Sequence, residues 1–204
     1  MPSQFYAMVD PSGGHDPAEL AEMLLAAGVR ILQLRLKDTP GREFLLAARA
    51  IASRCHARGA VFIVNDRVDI AILAEADGVH LGQTDLPLAA AREIFGVKKI
   101  IGISTHDAAM AREAEAGGAD YIGFGPMYPG GLKHTAAGQG LENLRAVRAA
   151  VRIPIVAIGG ITEASMPEVL AAGADAAAII TDVVKAPDIP AKVRALLAVR
   201  GPKR

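Results

Sequence analysis

The segment AGADAAAII, residues 172–180, joins the end of an alanine-rich stretch to a short apolar run. A glycine at the end of a helix can adopt the left-handed backbone that closes the helix, and the apolar run that follows is typical of a buried strand. The same pattern occurs in AAGV, residues 26–29, and in AGGAD, residues 116–120. This repetition predicts alternating helices and strands, as in a parallel sheet built from βαβ units.

Extending the pattern in both directions identifies eight short apolar runs, each followed by helix-compatible sequence. They span residues 4–9, 29–35, 60–65, 78–81, 99–104, 119–124, 155–158 and 176–180. Eight such units predict an α/β fold, a closed (β/α)8 TIM barrel. An open doubly wound sheet is the alternative, which we favour less because no glycine-rich dinucleotide fingerprint follows the first run. We expect a single domain over residues 1–204, with 201–204 as a frayed tail.

The composition argues against several classes of partner. The 204 residues include 22 lysines and arginines and 22 aspartates and glutamates, so no overall field attracts nucleic acid or an anionic membrane. The chain has no tryptophan and only 4% aromatic residues, which argues against base-stacking surfaces. We find neither a secretory signal nor a run long enough to span a membrane. We therefore expect a cytoplasmic protein with small-molecule ligands, and the sequence leaves a homo-oligomer open.

Polar residues collect where the predicted strands end, which in a barrel of this kind is the active-site mouth. In QLRLK, period-two alternation places Gln33, Arg35 and Lys37 on one face of the second strand. Burying unpaired charge is costly, so a basic face at this point predicts an anionic ligand such as phosphate or pyrophosphate. The alternative interpretation is a strand end that simply emerges into solvent.

Two carboxylates follow the next two strands. Asp66 comes directly after Asn65 at the end of the third run, and Asp85 follows the fourth run. Proteins commonly hold Mg²⁺ with one or two carboxylates, and substrate oxygens and water complete its shell. The pair therefore predicts Mg²⁺ as a cofactor, although each aspartate could instead serve a turn or a helix cap. We interpret His80 as a packed, hydrogen-bonded residue rather than a metal ligand.

Further anion-binding groups are expected on the remaining loops. Ser104 ends the fifth run and could donate to an anion or begin the next helix. The long segment 127–139 contains Lys133, a candidate to reach over a bound pyrophosphate. The seventh and eighth strands end in turns whose backbone N–H groups can cradle a phosphate. The residues of these turns are Gly159, Gly160, Ile180 and Thr181.

In their order along the chain, these motifs resemble those of the thiamine phosphate synthase family. The matching segments are QLRLK (33–37), NDRVDIA (65–71), ADGVHLGQTDL (76–86), IGISTHD (101–107), GADYIGFGPMYP (118–129) and PIVAIGGI (154–161). The resemblance implies a Mg²⁺-dependent transferase of thiamine biosynthesis. Such an enzyme joins hydroxymethylpyrimidine diphosphate to hydroxyethylthiazole phosphate, and pyrophosphate departs early to leave a pyrimidinyl cation.

The resemblance also implies roles for the candidate residues. Gln33 would contact the pyrimidine, while Asp66 and Asp85 would hold Mg²⁺. The pyrophosphate would be surrounded by Arg35, Lys37, Asn65, Ser104 and Lys133, of which Arg35, Lys37, Ser104 and Lys133 would be catalytic. The thiazole phosphate would be received by Gly159, Gly160, Ile180 and Thr181.

Two segments depart from the family pattern. Residues 129–133, PGGLK, lack the hydroxyl side chains of the usual Pro-Thr-x-Thr/Ser-Lys, and strand 8 ends in Thr181-Asp182 instead of serine. Three alternatives stay open. The first is a thiazole tautomerase-like relative, which should lack the two aspartates. The second is a related barrel that binds a phosphorylated ligand without turnover. The third is a sugar-phosphate isomerase, which would need a general acid and base on opposing strands.

Overall fold

The computed structural model describes residues 1–129 and 138–201. Eight parallel strands form a closed barrel in sequence order, and β8 pairs with β1. The strands are β1 (Phe5–Val9), β2 (Ile31–Leu34), β3 (Val61–Asn65), β4 (Gly78–Leu81), β5 (Ile100–Thr105), β6 (Tyr121–Phe124), β7 (Ile155–Ile158) and β8 (Ala176–Ile179). The predicted (β/α)8 barrel is confirmed, and the open doubly wound sheet is not observed.

Helices connect the strands around the outside of the barrel. They are α1 (Pro17–Ala26), α2 (Gly41–Ala57), α3 (Val68–Leu73), α4 (Leu88–Phe95), α5 (Ala108–Ala116), α6 (Gly140–Ala150), α7 (Met166–Ala172), α8 (Thr181–Val184) and α9 (Ile189–Ala198). Gly28, Gly118 and Gly173 have φ angles of 104°, 85° and 132°, which favour glycine at these predicted helix exits. Within residues 1–129 and 138–201, none of the helices has the length and apolar character of a membrane span.

The predicted tail begins where the described chain ends. The Gly201 backbone N–H donates to Gln4 Oε1 at 3.0 Å, so this residue contacts the segment that leads into β1. Residues 202–204 lie outside the described part of the chain.

Apolar side chains form two separate cores. The larger core lies between the strands and the helices and includes Leu32, Leu34 and Phe62. The smaller core fills the barrel, with Tyr6, Met8, Ile31, Ile63, Tyr121, Val156, Ala176 and Ala178. Successive residues of a strand point to opposite faces, which is why neighbours along one strand belong to different cores.

Glycine occupies two positions inside the barrel where ring side chains need space. A Cβ atom on Gly102 would lie 2.1 Å from Tyr121 Cζ, and a Cβ atom on Gly123 would lie 2.9 Å from His80 Cε1. Both separations are far below van der Waals contact, so no larger residue fits without displacing a ring. β5 and β6 therefore leave room for Tyr121 and His80 at the centre of the barrel.

We expect Gly102→Ala to destabilise the protein by about 1–3 kcal/mol, because overpacking a rigid core strains the backbone and side chains. Gly41→Ala at the first residue of α2 is the matched control, since its Cβ atom would make only an ordinary contact, 3.5 Å from Arg67 Nη2. Urea unfolding followed by circular dichroism measures both variants. Equal unfolding midpoints for the two variants would contradict the packing argument.

Candidate active site

A cavity of about 900 Å³ opens at the carboxyl ends of the strands. It is lined by residues from all eight strands or from the turns that directly follow them. The predicted site residues among its lining are Gln33, Arg35, Lys37, Asn65, Asp66, Asp85, Ser104, Gly159, Gly160, Ile180 and Thr181. Lys133 and the altered segment 130–132 lie outside the described residues. The barrel therefore brings every described candidate to one mouth.

The guanidinium of Arg35 is held by a carboxylate that sequence analysis missed. Its Nη1 donates to Asp10 Oδ2 at 2.6 Å, and Asp10 is only 2% exposed. Asp10 Oδ1 also accepts from the Ser12 N–H at 2.9 Å, so the carboxylate is anchored before it meets the arginine. Because a guanidinium has five N–H donors, this contact orients Arg35 without using up its donors. The position of Asp10 directly after β1 was the available signal.

Lys37 reaches the mouth from a turn rather than from a strand face. β2 ends at Leu34, although the Arg35 N–H still bonds to Val9 O at 2.9 Å. Asp38 has a φ of 55°, so the chain turns away from the sheet next to Lys37. The predicted alternation therefore does not extend to Lys37, yet its Nζ donates to Asp66 Oδ2 and its side chain lines the cavity.

The two predicted metal-binding carboxylates are neighbours in the structure. Burial raises the pKa of Asp85, and the adjacent Asp66 carboxylate raises it further, against the opposing effects of the Gly82 N–H and Lys37. The Gly82 N–H donates to Asp85 Oδ2 at 2.6 Å. Asp85 does not cap α4, whose N-cap is Pro87 without a side-chain hydrogen bond. A cation beside these two carboxylates would stabilise the charged form of Asp85.

This donor set is compatible with Mg²⁺. Among the residues that the structure describes, no cluster of three or more His, Cys, Asp or Glu side chains is arranged to hold a metal. Mg²⁺ does not require such a cluster, because one or two carboxylates together with substrate phosphate oxygens and water complete its octahedral shell. Asp66 has a φ of 64°, an unusual conformation that aspartate tolerates better than most residues.

A chain of hydrogen bonds runs through the inside of the barrel from Gln33 to Ser104. Gln33 Nε2 donates to Tyr6 Oη at 3.0 Å, and Tyr6 Oη lies 2.9 Å from Tyr121 Oη. His80 links the far end, with Nδ1 2.9 Å from Tyr121 Oη and Nε2 2.9 Å from Ser104 Oγ. Burial raises the pKa of Tyr6 to about 12 and that of Tyr121 well above its ordinary value. Both phenols are therefore neutral, and His80 is hydrogen-bonded as predicted.

Ser104 does not begin the following helix. The N-cap of α5 is Asp107, whose Oδ1 accepts from the Met110 N–H at 2.8 Å. Ser104 instead lines the cavity and contacts His80, while its backbone oxygen accepts from Gln83 Nε2 at 2.5 Å. Asn65, the last residue of β3, is 8% exposed and lines the same cavity.

The turns after β7 and β8 form the opposite side of the mouth. Gly159 and Gly160 have φ angles of 99° and 68°, and a Cβ atom on Gly159 would lie 2.6 Å from Pro126 Cβ. Only glycine satisfies both constraints at position 159. Ile180 precedes α8 and Thr181 is its first residue. Turns of this kind in these two places of a barrel commonly cradle phosphate through backbone N–H groups.

Asp182, one of the departures from the family pattern, has a structural role. Its Oδ2 accepts from the Glu163 N–H at 2.9 Å and lies 3.4 Å from Lys192 Nζ. Lys192 also bonds to Glu163 Oε2 at 2.9 Å. The negative charge of Asp182 is therefore compensated, and the contacts connect the end of β8 to the loop after β7.

This geometry defines the class of protein. The mouth of a (β/α)8 barrel brings together two basic side chains, two interacting carboxylates and two glycine-rich or hydroxyl-bearing turns. Such a combination fits small phosphorylated ligands better than a macromolecule, because the polar groups converge within one cavity.

Comparison with known proteins identifies the family. The family model for thiamine monophosphate synthase matches residues 5–183. The thiamine-phosphate synthase of Moorella thermoacetica is 48% identical over 188 residues, which cover 92% of this chain and 90% of that protein. The corresponding protein of Methanocella arvoryzae is 45% identical over 202 residues, with coverage of 98% and 95%.

A solved structure gives the same result. The thiamine phosphate pyrophosphorylase of Pyrococcus furiosus is 37% identical, with a TM-score of 0.87 over 95% of this chain and 93% of that one. The chain therefore belongs to the thiamine monophosphate synthase family. The motif-based prediction of this family, and of an enzyme, is confirmed.

We expect Asp10→Asn to lower the free energy of unfolding by about 1.5–3 kcal/mol, the usual size of a hydrogen bond to a charged group, because the substitution removes the negative charge of the buried partner of Arg35. Asp69→Asn is the control, since its pair with Arg67 is exposed, with side chains 58% and 42% accessible, and should contribute less than about 1 kcal/mol. Chemical denaturation measures both variants. Similar losses in the two variants would argue against a special role for Asp10.

Proposed function

We propose that the chain catalyses the synthesis of thiamine phosphate, joining hydroxymethylpyrimidine diphosphate to hydroxyethylthiazole phosphate with release of pyrophosphate. The observation that carries this proposal is the convergence of Arg35, Lys37, Asp66, Asp85 and Ser104 on one side of a single cavity, opposite two phosphate-type turns. In this proposal the diphosphate would bind beside these side chains and the monophosphate at the two turns. The proposed ligands are small molecules, and we expect the reaction to occur in the cytoplasm.

The diphosphate side is suited to stabilising a leaving group. Arg35 is oriented by Asp10 at 2.6 Å, and a guanidinium forks readily onto two phosphate oxygens. Lys37, Asn65 and Ser104 would add a point charge and two neutral donors. Lys133 remains a proposed further cation on this side. Preorganised donors of this kind stabilise charge as it develops on departing pyrophosphate.

Asp66 and Asp85 would hold Mg²⁺ beside these cations. When bound, the ion would supply positive charge to the pyrophosphate oxygens. Lys37 already contacts Asp66, so one carboxylate would be shared between the ammonium group and the metal. Burial is the main cause of the raised pKa of Asp85, and the Asp66 carboxylate raises it further; a divalent ion would offset this effect of Asp66.

The side chains around the cavity favour positioning and charge stabilisation over covalent catalysis. Ser104 does contact His80, but His80 Nδ1 bonds to the neutral phenol of Tyr121 rather than to a carboxylate. In a serine hydrolase triad the corresponding ring nitrogen bonds to a carboxylate, which stabilises the imidazolium. Cys55 is buried in α2, and burial raises the pKa of its thiol to about 12, so it is not an activated nucleophile. These features support a dissociative reaction with a pyrimidinyl cation.

The acceptor would bind on the opposite side of the mouth. Gly159, Gly160, Ile180 and Thr181 would receive the thiazole phosphate through their backbone N–H groups and the threonine hydroxyl. Asp182 does not oppose this assignment, because Lys192 and the Glu163 N–H bind its carboxylate. The ring nitrogen of the thiazole would then face the pyrimidine held at Gln33.

The direct experiment is an omission assay. Purified protein receives hydroxymethylpyrimidine diphosphate, thiazole phosphate and Mg²⁺, and each component is left out in turn while pyrophosphate release is measured. We expect release only in the complete mixture, together with thiamine phosphate detected by mass spectrometry. Absence of release from the complete mixture would contradict the proposed function.

We expect Asp66→Asn and Asp85→Asn to reduce turnover by about a hundredfold or more, the usual loss when a charge-stabilising group is removed from an active site. Asparagine tolerates the left-handed backbone at position 66, so the fold should persist. Asp69→Asn, with an exposed carboxylate on α3, is the control. Turnover is measured at limiting and at saturating Mg²⁺, with thermal unfolding alongside. Unchanged activity of either variant at limiting Mg²⁺ would remove that aspartate from the metal site.

A further inference from the structure

The hydrogen-bonded chain inside the barrel connects the two ends of the proposed diphosphate substrate. We name Gln33, Tyr6, Tyr121, His80 and Ser104 the relay. We infer that the relay fixes the orientation of the Gln33 amide and thereby makes the site select a pyrimidine with an exocyclic amino group over the corresponding oxo-pyrimidine. The inference rests on the proposed function, and it assigns Tyr6, Tyr121 and His80 as positioning residues.

The Gln33 amide sets the order of protons along the relay, because the other groups it contains fit two opposite orders. An amide nitrogen only donates, so Tyr6 Oη accepts from Gln33 Nε2 at 3.0 Å. A buried phenol proton needs an acceptor, and Tyr121 Oη lies 2.9 Å from Tyr6 Oη. In this order Tyr121 donates to His80 Nδ1 and His80 donates from Nε2 to Ser104 Oγ, each across 2.9 Å. The Ser104 proton is consequently directed to a group other than His80.

A diphosphate next to Ser104 favours this order over its reverse. In the reverse order, Ser104 donates to His80 and presents only lone pairs to the substrate. Phosphate oxygens of the ionised diphosphate are acceptors, so they repel those lone pairs and attract the Ser104 proton. Binding of the diphosphate at one end therefore stabilises the orientation of the Gln33 amide at the other end.

The amide orientation then discriminates between pyrimidines. Gln33 lines the cavity, and its Nε2 donates to Tyr6; in this inference its carbonyl oxygen meets the ligand's exocyclic group. An exocyclic amino group donates to this oxygen, whereas an exocyclic oxygen repels it. To bind the oxo-pyrimidine, the Gln33 amide must exchange the positions of its nitrogen and oxygen, and every hydrogen bond of the relay must reverse its direction. An unmatched buried polar contact of this kind reduces affinity by about tenfold or more.

Packing keeps the relay in place. The rings of Tyr6 and Tyr121 have centroids 6.0 Å apart, and those of His80 and Tyr121 are 5.4 Å apart. Gly102 and Gly123 leave space that the rings of Tyr121 and His80 fill, as their Cβ contacts show. Tyr6 and Tyr121 are 1% and 2% exposed, so water does not compete for their hydroxyl groups. The Gln33 amide is thus supported by rigid neighbours rather than by solvent.

The test measures selectivity rather than activity alone. Tyr6→Phe and Tyr121→Phe each remove one relay hydroxyl and keep the ring. Tyr128→Phe is the control, since its hydroxyl donates to Glu168 Oε1 at 2.6 Å, outside the relay. Calorimetry in Mg²⁺ gives dissociation constants for 4-amino-5-hydroxymethylpyrimidine diphosphate and for its 4-oxo analogue. The ratio of the two constants within one variant cancels any loss of folded protein.

We expect the unmodified protein and Tyr128→Phe to prefer the amino compound, and the preference to fall about tenfold in each relay variant. If Tyr6 and Tyr121 had only a structural role, their substitution would weaken the binding of both ligands equally. An unchanged ratio of dissociation constants in the relay variants would therefore overturn the inference. Equal binding of the two pyrimidines by the unmodified protein would also overturn it.

The outcomes separate this inference from the proposed function. A preference for the amino compound that depends on the relay, without formation of thiamine phosphate, would leave the inference standing and reject the function. Formation of thiamine phosphate with an unchanged ratio in the relay variants would support the function and reject the inference. Binding of neither pyrimidine would reject both.

Discussion

Closure of the sheet between β1 and β8 is the constraint on which the rest of the structure depends. Backbone pairing of Phe5 with Ala177 and of Ala7 with Ile179 joins the first strand to the last, so the carboxyl ends of all eight strands meet at one rim. The enclosed space is small, and every inward side chain competes for it. Ala176 and Ala178 take little of that space. The two tyrosines of β1 and β6 can therefore meet across the barrel.

The charges that gather at the rim are compensated within the protein before any ligand binds. Arg35 pairs with Asp10, and Lys37 pairs with Asp66. Such pairs reduce the cost of keeping charged groups partly buried, and they hold the groups in fixed directions. Asp85 is the contrasting case, because burial and the neighbouring carboxylate raise its pKa. An added cation would relieve that repulsion, which is why we propose metal binding at this point of the rim.

The candidate site was partly predictable from local sequence. Polar residues directly after apolar runs indicated Arg35, Asp66 and Ser104, because strand ends share one edge of a parallel barrel. Tyr6 and Tyr121 gave no comparable signal. They lie 115 positions apart, yet their hydroxyl groups are 2.9 Å apart. Asp10 does follow an apolar run directly, but an aspartate before a proline also looks like a turn residue until Arg35 is placed beside it.

The sequence by itself determined the alternation of helices and strands, the barrel and the family, because these depend on periodicity, on glycine at helix exits and on short motifs in order. Only the tertiary structure decided which side chains meet inside the barrel. Strand pairing places Ser104 beside Gly123 and Asn65 beside His80, and such contacts arise from closure rather than from spacing along the chain. The relay from Gln33 to Ser104 depends on five strands at once, β1, β2, β4, β5 and β6, so no local pattern could encode it.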